Sequence, residues 1–208
     1  MNTVNTTSTI IGMQPHHFPG EIEDDYVKQL LYMVEGEIRK DIFSGYHIFQ
    51  TGMNMGVDIW CAEMILALRN EFPHIQLHCF LPCETQANHW PEPWRERYFN
   101  ILAEADGVFC ISQQFSRGCT HVRNKEMLAL SSKLIAVHKN IADGGIARAI
   151  SYAKEKNIDT VVLHPGDEGD AAPGGSGNVV PFNGYISSQT SSEYLAGSFS
   201  GISAIRRA

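Results

Sequence analysis

The stretch Phe49-Gln50-Thr51-Gly52-Met53-Asn54-Met55-Gly56-Val57-Asp58 constrains this chain more than any other. Tyr46 to Thr51 reads as a short buried strand. Val57 to Phe72 reads as a helix with Trp60, Met64 and Leu68 on an apolar face. A tight turn with a glycine at each end joins them. A strand that passes through glycines into a helix start presents backbone N–H groups to whatever sits above it, and so suits a phosphate or another anion. Glycine allows close approach and positive φ. An ordinary β-to-α connection also favours glycine, so spacing alone leaves both readings open.

The rest of the chain repeats this alternation. Ser8 to Gly12 is β-branched and ends in glycine, a first strand. A loop punctuated by Pro15 and Pro19 follows. Glu21 to Phe43 has Tyr26, Leu30, Met33 and Val34 at helical spacing, with acids in its first turn. Pro73 stops the helix of the central stretch, and Ile75 to Phe80 is a third strand. A long loop carries Pro82, Trp90 and Trp94 into a helix from about Trp94 to Ala105. Gly107 to Ile111, Lys133 to His138 and Thr160 to His164 read as further strands. His121 to Ser131 and Ile146 to Lys156 read as the helices between them. Strands alternating with helices predict an α/β fold: a Rossmann-like, mostly parallel sheet with helices on both faces. Ligands in such sheets sit at the carboxyl ends of the strands. Gly12, Gly52, Pro82, Ser112 and the 139–145 loop belong to that edge.

Composition narrows the function classes. The net charge of −7 argues against broad nucleic-acid binding, which needs a basic surface. No apolar run is long enough to span a bilayer. Met1 to Ser8 is polar and uncharged, unlike a secretory or basic targeting segment, so a cytoplasmic location is expected. Cys61, Cys79, Cys83, Cys110 and Cys119 are odd in number and lie in apolar surroundings, as reduced buried thiols do. They match no compact zinc spacing, and no metal or cofactor is expected. From Gly166 the chain turns to Gly, Ser, Ala and Asn. We therefore divide it into a domain over residues 1–165 and a flexible Gly/Ser-rich C-terminal tail over 166–208. Ala172 to Gly177 looks like a phosphate loop but has no strand before it and no helix after it. The apolar residues between Tyr194 and Arg207 suit docking on a partner or on the domain itself.

Thr51-Gly52-Met53-Asn54-Met55-Gly56-Val57-Asp58-Ile59-Trp60-Cys61-Ala62-Glu63 resembles the (S/T)GxxxGxDxxxAE signature of the SLOG superfamily, which includes the DprA/Smf domain and the LOG phosphoribohydrolases. The standalone YpsA-like branch is the nearer one. Pro82, Gln86 and Trp90 resemble its post-strand loop, and Arg95 and Tyr98 its next helix. Arg123, Asn124 and Met127 resemble its RNxxM segment, and Leu134 to Val137 followed by Gly144-Gly145 its last glycine loop. The similarity runs from about residue 9 to residue 165. Two departures stand out. The family's first loop commonly reads GHRP, where this chain has Gly12-Met13-Gln14-Pro15 and lacks the basic pair. Its GGT is Gly144-Gly145-Ile146 here, without the hydroxyl. His16 and His17 are either substitutes for that pair or solvated surface residues.

The resemblance implies a ligand site made of Gly12, Thr51, Gly52, Met53, Asn54, Met55, Gly56, Asp58, Pro82, Trp90, Arg123, Asn124, Gly144 and Gly145. Asp58 either steadies the helix start or grips ribose hydroxyls, the second being what the resemblance favours. Glu63 lies about 140° around the helix from it, so the two form no automatic acid–base pair. Arg123 suits phosphate and Asn124 a base edge or ribose, unless they merely open a solvated helix. Trp90 and Trp94 either stack on a base or pack the long loop.

Two functions are expected to compete. One is a binding module that senses or sequesters a nucleotide-derived small molecule, ADP-ribose-like or a cyclic nucleotide signal. The other is a hydrolase cleaving an N-glycosidic bond, with Asp58 or Glu63 as the candidate catalytic carboxylate. The LOG enzymes carry an acid after their glycine loop, and Gly144-Gly145-Ile146-Ala147-Arg148 has none within the next turn, so binding is favoured. The expected partners are that ligand and further copies of the chain in a homo-oligomer. Neither membrane nor nucleic acid is expected among them.

Overall fold

A computed structural model describes residues 6–18, 25–139 and 144–164, and the backbone of 205–207. The strands are β1 (Thr7–Ile11), β2 (Ile48–Thr51), β3 (Gln76–Leu81), β4 (Gly107–Cys110), β5 (Lys133–Val137), β6 (Asp159–Leu163) and β7 (Ile205–Arg207). The helices are α1 (Asp25–Phe43), α2 (Val57–Leu68), α3 (Glu92–Glu104), α4 (Cys119–Ala129) and α5 (Gly145–Glu155). A short 3-10 turn, Pro15–His17, interrupts the loop after β1. The strands form one sheet in the order β6-β5-β1-β2-β3-β4-β7, and every neighbouring pair is parallel.

Parallel strands joined by helices must be covered on both faces, so the central ones are buried along their whole length. β1 and β5 have every residue buried. Helices α1, α2 and α3 pack side by side, and their apolar faces share one core with Ile10, Phe49 and Leu77. α4 and α5 form a second core through Met127, Leu128, Ala149 and Ala153, with Phe80, Leu134 and Ala136 of the sheet. α1 buries Val27, Leu30, Leu31, Val34, Ile38 and Ile42, the stripe expected of a helix with one wet face. α2 is different. Nine of its twelve residues are buried, Asp58 among them, because α1 and α3 flank it.

Several element ends differ from the sequence reading, each for a local reason. α2 stops at Leu68, and turns carry the chain to Pro73. There Arg69 leaves the helix to donate to Glu104 O at 2.9 Å and to pair with Asp106. α3 begins at Glu92, because Pro93 fits a first helical turn that needs no N–H. α4 begins at Cys119, after Gly118 turns the chain at φ +93°. The first four residues expected in α1 and the glycine-rich stretch Ala172 to Gly177 lie outside the described residues. At the far end of the chain, Ile205–Arg207 pairs with Val108, Phe109 and Cys110 and lines the β4 edge.

The amino end of the sheet is closed by a polar network that the sequence analysis did not anticipate. Lys133 pairs with Asp41, which also accepts from Ser8 Oγ at 2.8 Å, while Glu37 stands 3.8 Å from the ammonium. Burial pushes the Asp41 carboxyl up, and Lys133 and Ser8 pull it back. The network ties α1 to β1 and β5 and leaves the opposite edge open for loops.

Candidate functional site

The loops after β1 and β2 and the start of α2 meet at the carboxyl edge, held by one buried carboxylate. Asp58 is fully buried. Its Oδ1 accepts from Gly12 N at 2.9 Å, and its Oδ2 accepts from Asn54 N at 3.2 Å and Asn54 Nδ2 at 2.9 Å. Burial pushes this carboxyl up, while Arg123 and the three N–H donors pull it back. Asp58 therefore turns inward and fastens two loops. Both of its oxygens serve these loops in this structure.

Arg123 is equally enclosed. Its Nη1 donates to Gly52 O and to Phe80 O, the latter at 3.2 Å, and its Nε donates to Asn124 Oδ1 at 2.8 Å. Burial pulls the guanidinium down, and Asp58 holds it up. Asn124 thus orients Arg123, and Arg123 ties the ends of β2 and β3 to α4. Both were expected to open a solvated helix or to meet phosphate and base. Neither side chain is solvated.

The glycines of the turn are fixed by these same neighbours. A Cβ on Gly52 would lie 2.1 Å from Arg123 Nη1, and one on Gly12 would lie 2.3 Å from Val57. Gly56 has φ +93°, and a Cβ there would lie 2.6 Å from Met13 O. The protein itself therefore requires small residues at all three positions, before any ligand is considered. Met53, buried, takes φ +55°, a region a side chain seldom enters, and its N–H donates to Thr51 Oγ1 at 3.1 Å. Gln86, in the loop after β3, clamps the turn from above by donating through Nε2 to Met53 O at 3.1 Å and Gly52 O at 3.3 Å.

Much of the turn's donor capacity is thus spent internally. Met53 N, Asn54 N and Val57 N all have acceptors, the last in Met13 O at 3.2 Å. Among the described residues, Met55 N and Gly56 N donate to no protein acceptor, so they remain for something outside. Asn54 and Met55 are the half-buried residues at the tip.

The other expected site residues sit as follows. Pro82 is buried, and its carbonyl accepts from Ser112 Oγ at 3.0 Å, joining the loops after β3 and β4. Trp90 packs edge-on against Tyr98, with ring centroids 5.3 Å apart. Trp94 lies between Trp60, at 6.0 Å, and the Arg97 guanidinium, at 4.8 Å. Both tryptophans therefore fasten the long loop and α3 to α2. Glu63 faces α3, where Arg97 grips it at 2.7 and 2.5 Å. Gly144 and Gly145 are exposed at the start of α5, beside residues 140–143, which lie outside the described set. Gly12, Thr51 to Gly56 and Pro82 thus share one edge, backed by Asp58, Arg123 and Asn124.

All five cysteines are free and buried. Burial pushes the Cys61, Cys79 and Cys110 thiols up, away from reactivity. Among the described residues no cluster of three or more His, Cys, Asp or Glu side chains could hold a metal, and no helix is long and apolar enough to cross a membrane.

Comparison with known proteins agrees with this architecture. The family model described as the YspA SLOG family matches residues 17–164. A UPF0398 protein of Halalkalibacterium halodurans is 27% identical over 150 residues, covering 70% of this chain and 75% of the relative. A UPF0398 protein of Brevibacillus brevis is 30% identical over 105 residues, covering 50% of this chain and 52% of its own. A UPF0398 protein of Bacillus cereus is 29% identical over 131 residues, covering 62% of this chain and 67% of its own.

Proposed function

The chain belongs to the YspA SLOG family, and from that premise we propose that it is a binding module for a nucleotide-derived small molecule. Family membership points to a nucleotide-related role. On our reading the ligand is ADP-ribose-like or a cyclic nucleotide signal, which the protein senses or sequesters at the carboxyl edge of the sheet. The protein acts in the cytoplasm as a homo-oligomer.

One observation carries the preference for binding over cleavage: both candidate carboxylates are already engaged. Asp58 holds Gly12 and Asn54, and Glu63 holds Arg97. Cleavage of an N-glycosidic bond needs a carboxylate free to meet the anomeric carbon or a water. Binding needs a rigid edge with a few donors left over, and the turn at Met55 and Gly56 supplies one. Asn54, Met55, Gly56, Gly144 and Gly145 are then the residues that meet the ligand. Gly12, Thr51, Gly52, Met53, Asp58, Pro82, Arg123 and Asn124 shape the surface beneath, and Trp90 fixes the loop beside it.

Native mass spectrometry of freshly purified protein, followed by chromatography after long incubation with ADP-ribose, tests this. A retained nucleotide-like mass and intact ADP-ribose are expected. Free products beyond one equivalent, abolished by Glu63→Gln, would overturn binding in favour of a phosphoribohydrolase-like hydrolase.

A further inference from the structure

The order in which strands are added reverses between β1 and β5, which run parallel. From β1 the chain proceeds through β2 and β3 to β4 on one side, and β5 and β6 extend the other. Loops leaving such a boundary diverge and open a crevice. Here they bring histidines and a lysine together. His16 and His17 follow β1, His138 and Lys139 follow β5, and His164 follows β6.

Hydrogen bonds fix this gathering. Lys139 Nζ donates to His17 O at 2.6 Å, and Lys139 N lies 3.3 Å from Met13 Sδ. His138 N donates to Leu163 O at 3.0 Å, and His164 Nδ1 meets His138 O at 2.8 Å. The His16 and His17 rings lie 3.9 Å apart, tilted by 40°. Burial first, then His16, Lys139 and His138 as neighbours, hold the His17 imidazole below the usual value, with a hydrogen bond to the Gln14 backbone pulling back. Among the described residues Lys139 has no carboxylate partner.

We propose that His16, His17, His138 and Lys139 form an anion subsite over the β1–β5 boundary, which takes the phosphate group of the ligand and tightens as pH falls from 8 to 6. The identity of the ligand rests on the function proposed above. The anion subsite rests on this cluster alone. Lys139 keeps N–H donors beyond the one spent on His17 O. A doubly charged anion offsets the repulsion that His17 feels from its neighbours, so His17 takes up a proton as it binds. Each proton taken up steepens the affinity by as much as about tenfold per pH unit.

α5 has no acid in its first turn, and Arg148 follows at its start. Asp25 at the start of α1 stands 3.6 Å from Lys28. The remaining acids near these loops in sequence, Glu21, Glu23, Asp24, Asp143, Asp167, Glu168 and Asp170, lie outside the described residues. The loop after β2 contributes Asn54 and Met55, which are uncharged.

The test uses the full chain and inorganic sulfate, which stays doubly charged across this pH range, so any change in affinity belongs to the protein. Sulfate is titrated at pH 6 and at pH 8 while the histidine ring resonances are followed by NMR. The His16 and His17 signals are expected to move, the affinity to fall at least about tenfold from pH 6 to pH 8, and sulfate to raise the His17 pKa. The exposed pair His16→Asn and His17→Asn together should remove the pH dependence, and Lys139→Gln should weaken binding at both pH values. Equal affinity at the two pH values, a double variant that binds like the parent, or a His17 pKa above about 6.5 without sulfate would each overturn the proposal. ADP-ribose serves as the second probe. If sulfate behaves as expected and ADP-ribose does not bind, the subsite stands and the ligand class named above falls.

Discussion

Asp58 offers the sharpest test of how this edge is built. Asp58→Ala removes the acceptor for Gly12 N, Asn54 N and Asn54 Nδ2, all at a fully buried site, and strips Arg123 of its counter-charge. Each buried donor left unmet costs about 1–3 kcal/mol, and removing one member of a buried ion pair costs about 3–5 kcal/mol. These costs overlap, because Gly52 O, Phe80 O and Asn124 still hold the guanidinium. We therefore expect a loss of about 4 kcal/mol for Asp58→Ala. Asp58→Asn should lose about 2 kcal/mol: one oxygen still serves Gly12 N, but an amide NH2 then confronts Asn54. The assay is urea unfolding followed by far-UV circular dichroism, with hydrogen exchange read at the Gly12 and Asn54 amides. With a slope of about 2 kcal/mol per molar urea, the two variants should shift the midpoint by about 2 M and about 1 M. An Asn variant whose midpoint stays within about 0.3 M of the parent, with Gly12 exchange unchanged, would refute the inward-facing role.

Three further outcomes follow from the same structure. Gly56→Val should lower the melting temperature, because φ +93° costs a branched residue about 1–3 kcal/mol and its Cβ meets Met13 O. The five thiols should resist iodoacetamide in the native protein and react once it is unfolded, as mass spectrometry can count. His78, on β3 against the Phe109 ring at 5.4 Å, is held below its usual value by burial, with Asp106 pulling back. Its folded state prefers the neutral ring, so its contribution is present above about pH 6.5 and is lost as pH falls through the lower folded value. His78→Phe should therefore flatten the fall in melting temperature between pH 7 and pH 5, relative to the parent.

The fold was legible in the sequence because its signals are local and periodic. Alternating apolar runs and glycine or proline stops marked every strand from β1 to β6 and all five helices, with ends displaced by a few residues. Those displacements came from contacts across the fold, such as Arg69 meeting Glu104 and Asp106 beyond α2. The β7 strand was not legible, because Ile205–Arg207 is too short to carry a period. The site was legible as a place but not as a set of roles. Sequence spacing put Gly52, Gly56 and Asp58 at one edge, yet it could not show that Arg123 fills the space above Gly52, since 71 residues separate the two. The same holds for Lys139 and His17, joined over 122 residues. Lys133 with Asp41 gave one signal in retrospect: a lysine opening a buried strand needs an acid nearby.

The charge at the start of α2 bears on where an anion can go. A free helix N-terminus carries roughly half a positive charge and several unmet N–H groups. Here Asp58 supplies a carboxylate in the first turn and Met13 O takes Val57 N, so much of that attraction is already answered. Arg123 then balances Asp58 from within, and its Nε and Nη1 donate to protein oxygens. What is left on the β2 side is a neutral rim, Asn54 and Met55, with two spare amides. On the β5 side are Lys139 and the histidines, without a carboxylate on Lys139 among the described residues. On the function and the anion subsite proposed above, a ligand with one neutral part and one charged part would fit in one orientation, its sugar or base over the β2 turn and its phosphate toward β5. The sequence departure at Met13-Gln14, which lacks a basic pair in the first loop, would then be answered three residues on, by His16 and His17. On this account His16→Asn with His17→Asn should weaken a phosphorylated ligand more than its dephosphorylated form, whereas Asn54→Ala should weaken both alike. Calorimetry on the two ligand forms separates these, and equal losses in the histidine variant would reverse the assigned orientation.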